Sequence, residues 1–219
     1  EFKRAYDITE FPIGSELMNR LMTELMTEIN ANEVLRTKLF QIDFLTTLSG
    51  QALISLIYHR KLDDEWTQAA RELQTKLDIY IIGRSKGQKI VVEQDFVIEQ
   101  LNVDGKIFRY QQIESGFTQP NARVCEKMLT WAVTKSRSWG GDLIELYCGN
   151  GNFTLPLAQN FNRVLATELA KPSVKSALYN MELNEVSNVA IARLSSEDFS
   201  QAMDRVRSFR RLDEINLDS

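Results

Sequence analysis

The stretch Asp142-Leu143-Ile144-Glu145-Leu146-Tyr147-Cys148-Gly149-Asn150-Gly151-Asn152-Phe153 holds the residues whose types and spacing point most directly to chemistry. An apolar strand ends in a Gly-x-Gly turn and feeds a helix. Glycine lets the backbone approach a ligand where a Cβ would collide. The helix N-terminus offers free N–H groups and the positive end of a dipole. Together these suit a nucleotide-like ligand at the carboxyl ends of the strands. A dinucleotide fingerprint would place a third glycine where Thr154 stands, so a nicotinamide dehydrogenase is disfavoured. S-adenosyl-L-methionine has no pyrophosphate, but it needs a carboxylate for its ribose hydroxyls. Glu168, at the end of Val164-Leu165-Ala166-Thr167-Glu168, is placed for that role. The plainer alternative is a glycine turn beside a solvated glutamate.

Cys148 lies inside the turn. A thiol beside a helix N-terminus can be acidified, but a small residue filling a crowded turn is the expected role. Cys125 reads as helix core. Two cysteines make no disulfide framework and fit a reducing cytoplasm. The single histidine, His59, completes no zinc site with them, so no metal is expected.

The elements that must position these residues fall into two rhythms. In the first half, Ser15 caps a helix to about residue 30, with Leu17, Met18, Leu21, Met22, Leu25, Met26 and Ile29 as a core-facing stripe. A hairpin follows, 39–48 with 52–58, turning at Ser49-Gly50. A helix from Asp63 to Leu77 buries Trp66, Ala70, Leu73 and Leu77. Strands 79–82 and 90–92 then flank Gly83-Arg84-Ser85-Lys86-Gly87, and 107–110 forms a further short strand. This half reads as an α+β module. In the second half, a helix from about Asn121 to Val133 precedes alternating strands (143–146, 163–167, 189–192) and helices (from Phe153, 173–183, 196–203). That alternation implies parallel βαβ units. The boundary is expected near residues 113–117.

Composition sets the outer bounds. The 219 residues are 43% hydrophobic and 26% charged, enough apolar surface for a buried core. No apolar run reaches the roughly 18 residues a membrane helix needs, so no membrane partner is expected. The formal net charge is −4, whereas RNA binders are more often basic, which argues mildly against RNA. The chain opens on Glu1 without an initiator Met and closes in a polar stretch, so a piece of a longer protein is expected.

Leu146 to Phe153, together with Ser115-Gly116-Phe117-Thr118-Gln119-Pro120-Asn121, resembles the RNA 5-methyluridine methyltransferases. Lys38 to Asp43 and Tyr58 to Trp66 resemble the bacterial tRNA (uracil-5-)-methyltransferase branch that modifies the T-loop uridine. The resemblance runs over nearly the whole chain. It implies an α/β fold: a partial class I, Rossmann-like methyltransferase domain at 114–219, preceded by an α+β module at 1–113 as a candidate RNA-contacting part. It also implies cofactor contacts at Gln119, Tyr147, Asn152 and Glu168, S-adenosyl-L-methionine as cofactor, and the tRNA T-arm as partner of a cytoplasmic monomer. Phe40 and His59 fall where the tRNA enzyme places rings against the T-loop, and Arg84, Lys86 and Lys89 are candidate phosphate contacts. In this family a cysteine thiolate adds to C6 of uracil, C5 takes the methyl group, and a base removes the C5 proton. The family's Asp-Pro-Pro-Arg and Ser-Cys-Asn-Pro segments and its late glutamate are absent here. No catalytic residue is therefore expected in this chain, which should be inactive by itself. A ribosomal-RNA uridine methyltransferase and a non-catalytic tRNA-binding module stay open as alternatives.

Overall fold

A computed structural model describes residues 7–204, 206 and 208, which divide into two compact units at Val97/Ile98. The first unit opens with α1 (Glu16–Ala31), whose N-cap Ser15 accepts from the Met18 N–H. Its buried face is Leu21, Leu25 and Ile29. Met18 and Met22 are only half-buried and Met26 is 54% exposed, so the core stripe is narrower than the sequence suggested. A short α2 (Glu33–Arg36) leads into β1 (Leu39–Thr46), β2 (Ala52–Tyr58), α3 (Asp64–Leu77), β3 (Tyr80–Ser85) and β4 (Gln88–Val91). The four strands form one sheet in the order β1-β2-β3-β4, antiparallel except for the parallel β2–β3 pair that α3 connects. Asp63 caps α3, and Asp78 closes it in the left-handed conformation at φ 53°. Trp66, Ala70 and Leu73 are buried as their helical spacing predicts, with Leu77 packed at the edge. Gly83 sits beneath this helix because a Cβ there would overlap the Trp66 ring and Leu62.

In the second unit, β5 (Phe96–Val103) and β6 (Lys106–Ile113) form a hairpin. Its turn is Asp104-Gly105, both at positive φ. Asp-Gly is among the strongest short-range hairpin signals, yet sequence reading took only 107–110 as a strand and missed β5. Leu101, Val103, Phe108 and Tyr110 of the hairpin share a core with Cys125, Leu129 and Val133 of α4 (Ala122–Ser136). That shared core is why the division falls at Val97/Ile98 rather than near residue 113.

The remaining elements are β7 (Asp142–Leu146), α5 (Thr154–Leu157) running into a 3-10 turn at Ala158–Asn160, β8 (Arg163–Thr167), α6 (Lys171–Leu183), β9 (Val189–Ala192) and α7 (Ser196–Met203). The three strands are parallel in the order β7-β8-β9, as the alternating pattern requires. Side chains of α6 and its C-cap satisfy the backbone of β6: the C-cap Asn184 bonds both the N–H and C=O of Arg109, and fully buried Asn180 accepts from the Gln111 N–H at 2.7 Å. Unpaired strand groups are costly when buried, so these asparagines stand in for a neighbouring strand. No helix among the described residues is long and apolar enough to cross a membrane.

Candidate functional site

β7 runs straight into the Gly-x-Gly loop. The Cys148 N–H still donates to Thr167 O at 2.9 Å, extending the parallel ladder one residue past Tyr147. Tyr147 itself takes φ 59°, a conformation disfavoured for a residue with a Cβ, and its side chain is 68% exposed. Such an outlier persists only where its surroundings hold it, and it throws the ring out at the mouth of a cleft. Gly149 also has positive φ, and a Cβ there would meet open space. The glycine thus serves the backbone turn and leaves the cleft floor clear. Asn180 Nδ2 holds the Asn150 carbonyl at 2.9 Å, so the loop is tied to α6.

The cleft is lined by Gln119, Tyr147, Gly149 and Asn152, with Phe117 and Glu145 beside them. Three of the four cofactor residues implied by resemblance therefore come together. Glu168 lies one residue beyond β8 and is fixed to the same loop: its Oε2 accepts from the Gly149 N–H at 3.0 Å and its Oε1 from the Ala170 N–H at 2.7 Å. Asn152 is anchored through its side-chain N–H to Cys125 Sγ at 3.3 Å, and its carbonyl accepts from the Tyr110 hydroxyl at 3.1 Å. The helix after the loop is shorter than expected. α5 has four residues before tightening into a 3-10 turn, so its dipole adds little to the site.

Glu145 is the residue that sequence reading missed. It sits in β7 with its Oε2 buried and without a hydrogen-bond partner. Burial pushes its carboxyl from 4.5 up to about 7, with the Thr154 hydroxyl opposing. A charged residue inside an otherwise apolar strand core was the available signal. Because the folded value lies above the ordinary one, the fold holds a proton that the unfolded chain has already released. Stability from this group is therefore complete below about 4.5 and lost as pH rises towards 7. Urea midpoints measured across that window should fall for the wild type and stay level for Glu145→Gln, after subtracting what both share. Parallel curves would show that Glu145 is not held neutral.

Both thiols are buried. Burial first, then the Glu145 and Glu168 charges, push Cys148 up to about 12, and burial also raises Cys125. Each is the packing residue its position suggested. Among the described residues no group of three or more His, Cys, Asp or Glu is placed to hold a metal ion.

In the first unit Phe40 is 62% exposed, and its ring stacks on His59 at 4.3 Å and 18°. Lys89 pairs with Asp95 at 2.7 Å.

A family model described as tRNA (Uracil-5-)-methyltransferase matches residues 1–219. The tRNA/tmRNA (uracil-C(5))-methyltransferase of Cellvibrio japonicus is 64% identical over 215 residues, covering 98% of this chain and 59% of that protein. The Acinetobacter baylyi protein of the same description is 57% identical over 216 residues, covering 99% and 60%. The chain thus spans about 59% of the length of such relatives. Among solved structures, the Pyrococcus abyssi tRNA (uracil-54, C5)-methyltransferase in complex with S-adenosyl-L-homocysteine superposes with a TM-score of 0.65 at 17% identity, over 86% of this chain and 50% of that one. That likeness shows a shared α/β methyltransferase fold.

Proposed function

The chain belongs to the tRNA (uracil-5-)-methyltransferase family, and from that premise we propose that its second unit binds S-adenosyl-L-methionine for methylation of uridine C5 in tRNA, at the T-loop. One observation carries the reading: the Glu168 carboxylate is held by two backbone N–H groups, one of them from Gly149, which lines the same cleft as Gln119, Tyr147 and Asn152. Each carboxylate oxygen keeps acceptor capacity for a ribose hydroxyl. The rest of the cleft fits the same ligand. Glu145 offers a buried, unpartnered carboxylate oxygen beside the cleft, suited to a cationic group. Gln119 and Asn152 supply amides for the methionine end, and the exposed Tyr147 ring covers the donor. S-adenosyl-L-methionine, when bound, supplies an electrophilic methyl group.

The nucleophile and the base are assigned to the family's Ser-Cys-Asn-Pro segment and late glutamate, which this sequence does not contain. Phe40 and His59 offer a stacked pair of exposed rings, the usual way to engage unpaired RNA bases. The target uridine has to leave its stack to be methylated. The reading takes the protein as a cytoplasmic monomer acting without a metal.

The test is equilibrium binding of S-adenosyl-L-methionine to this chain with NAD as competitor. Saturable binding that NAD does not displace is expected, tightening as pH rises through about 7, where Glu145 becomes charged. Displacement by NAD, or no binding by a chain with intact circular dichroism, removes the cofactor reading. For the RNA side, a T-arm hairpin should bind Phe40→Ala about tenfold more weakly than the wild type. Equal affinity would remove the ring pair from the RNA interface.

A further inference from the structure

We infer that Arg60 is the positioning residue for the Phe40–His59 ring pair, an assignment that rests on the RNA-facing reading of those rings. Two exposed rings have no core to fix them, so their geometry has to come from the backbone that carries them. Both ends of that backbone are unusual. Leu39 pairs with Tyr58 but Gln41 pairs with Ile57, so β1 gains one extra residue at Phe40. Such a β-bulge re-aims a side chain, and here it turns Phe40 out of the sheet to lie on His59. Just before it, Lys38 stands at φ 56°, and its carbonyl accepts from the His59 N–H at 3.0 Å.

Arg60 ties these turns together. Its Nε donates to Thr37 O at 3.0 Å, its Nη2 to Val34 O at 2.6 Å and its Nη1 to Lys61 O at 3.2 Å. Two of those carbonyls belong to α2 and the turn that precedes β1, and the third follows β2. The side chain is 19% exposed, and its guanidinium carbon lies 5.5 Å from the centre of the Tyr58 ring. Tyr58 in turn donates its hydroxyl to Leu35 O at 2.8 Å, and the Ser85 hydroxyl holds the Arg60 carbonyl. The fork is committed to backbone carbonyls, with Asp63 at 4.0 Å balancing its charge. This distinguishes Arg60 from a phosphate-binding arginine. A lysine cannot replace it, because a single ammonium on a flexible stem does not reproduce a planar fork that spans three carbonyls.

His59 is the one histidine in the sequence, so its ring C–H resonances need no further assignment. In the wild type they should be displaced by the Phe40 ring, and Phe40→Ala gives their unstacked positions. Arg60→Lys keeps the charge and the aliphatic stem over Tyr58, which makes it the informative variant if Arg60→Ala fails to fold. In Arg60→Lys, with unchanged circular dichroism, the His59 signals should move most of the way to the Phe40→Ala positions. Affinity for a T-arm hairpin RNA should fall about tenfold, as when a base–ring stack is lost. The slope of log affinity against log salt should stay as in the wild type, whereas loss of a phosphate contact lowers it by about one. An Arg60→Lys protein with wild-type His59 signals overturns the assignment, as does a reduced salt slope. Displaced His59 signals in Arg60→Lys, combined with full RNA affinity in Phe40→Ala, would uphold the positioning role and remove only the RNA reading of the rings.

Discussion

Glu168→Ala is expected to weaken S-adenosyl-L-methionine binding about a hundredfold, since two charge-assisted hydrogen bonds are worth roughly 3 kcal/mol together. The loss should be large because the carboxylate is already oriented. With Gly149 and Ala170 N–H groups on its two oxygens, little freedom remains to be lost when a ribose diol arrives. Glu168→Gln should not rescue binding. Its amide would set an N–H donor against one of those two backbone donors, so either the side chain turns away or one contact is lost. Titration calorimetry of both variants checks this. A Glu168→Ala protein binding within a few-fold of the wild type would mean that the ribose is held elsewhere.

Trp66→Ala should destabilise the first unit by about 4 kcal/mol, within the range for emptying a large aromatic site. Trp66 is fully buried, meets Tyr58 edge to face at 5.8 Å, and fills the space that Gly83 leaves on β3. A domain holds only about 5–15 kcal/mol in total, so this variant would sit near its unfolding threshold. Gly83→Ala attacks the same contact from the other side, because its new methyl group meets the indole ring and Leu62. Urea denaturation followed by far-ultraviolet circular dichroism measures both. A loss below about 1 kcal/mol for Trp66→Ala would show that the helix settles onto the sheet without its indole.

The sequence by itself determined the local elements and the Gly-x-Gly loop. The helical stripes of α1 and α3, the cap at Ser15, and the strand–Gly-x-Gly–helix passage are encoded in residues close together in the chain. Gln119, Tyr147 and Asn152 stand in short motifs, and the fold brings the three to one cleft. β5 was legible too, in Asp104-Gly105, although it was missed.

Other features depended on contacts between residues far apart, which periodicity does not encode. The unit boundary moved to Val97/Ile98 because the β5–β6 hairpin packs on α4. Glu145 stands out because burial beside the cleft withdraws water from its carboxyl. Phe40 faces outwards onto His59 because β1 carries one extra residue at that position. In each case a side chain's role was set by what the fold removed from water or brought within a few ångströms of it, and only the tertiary structure supplies that.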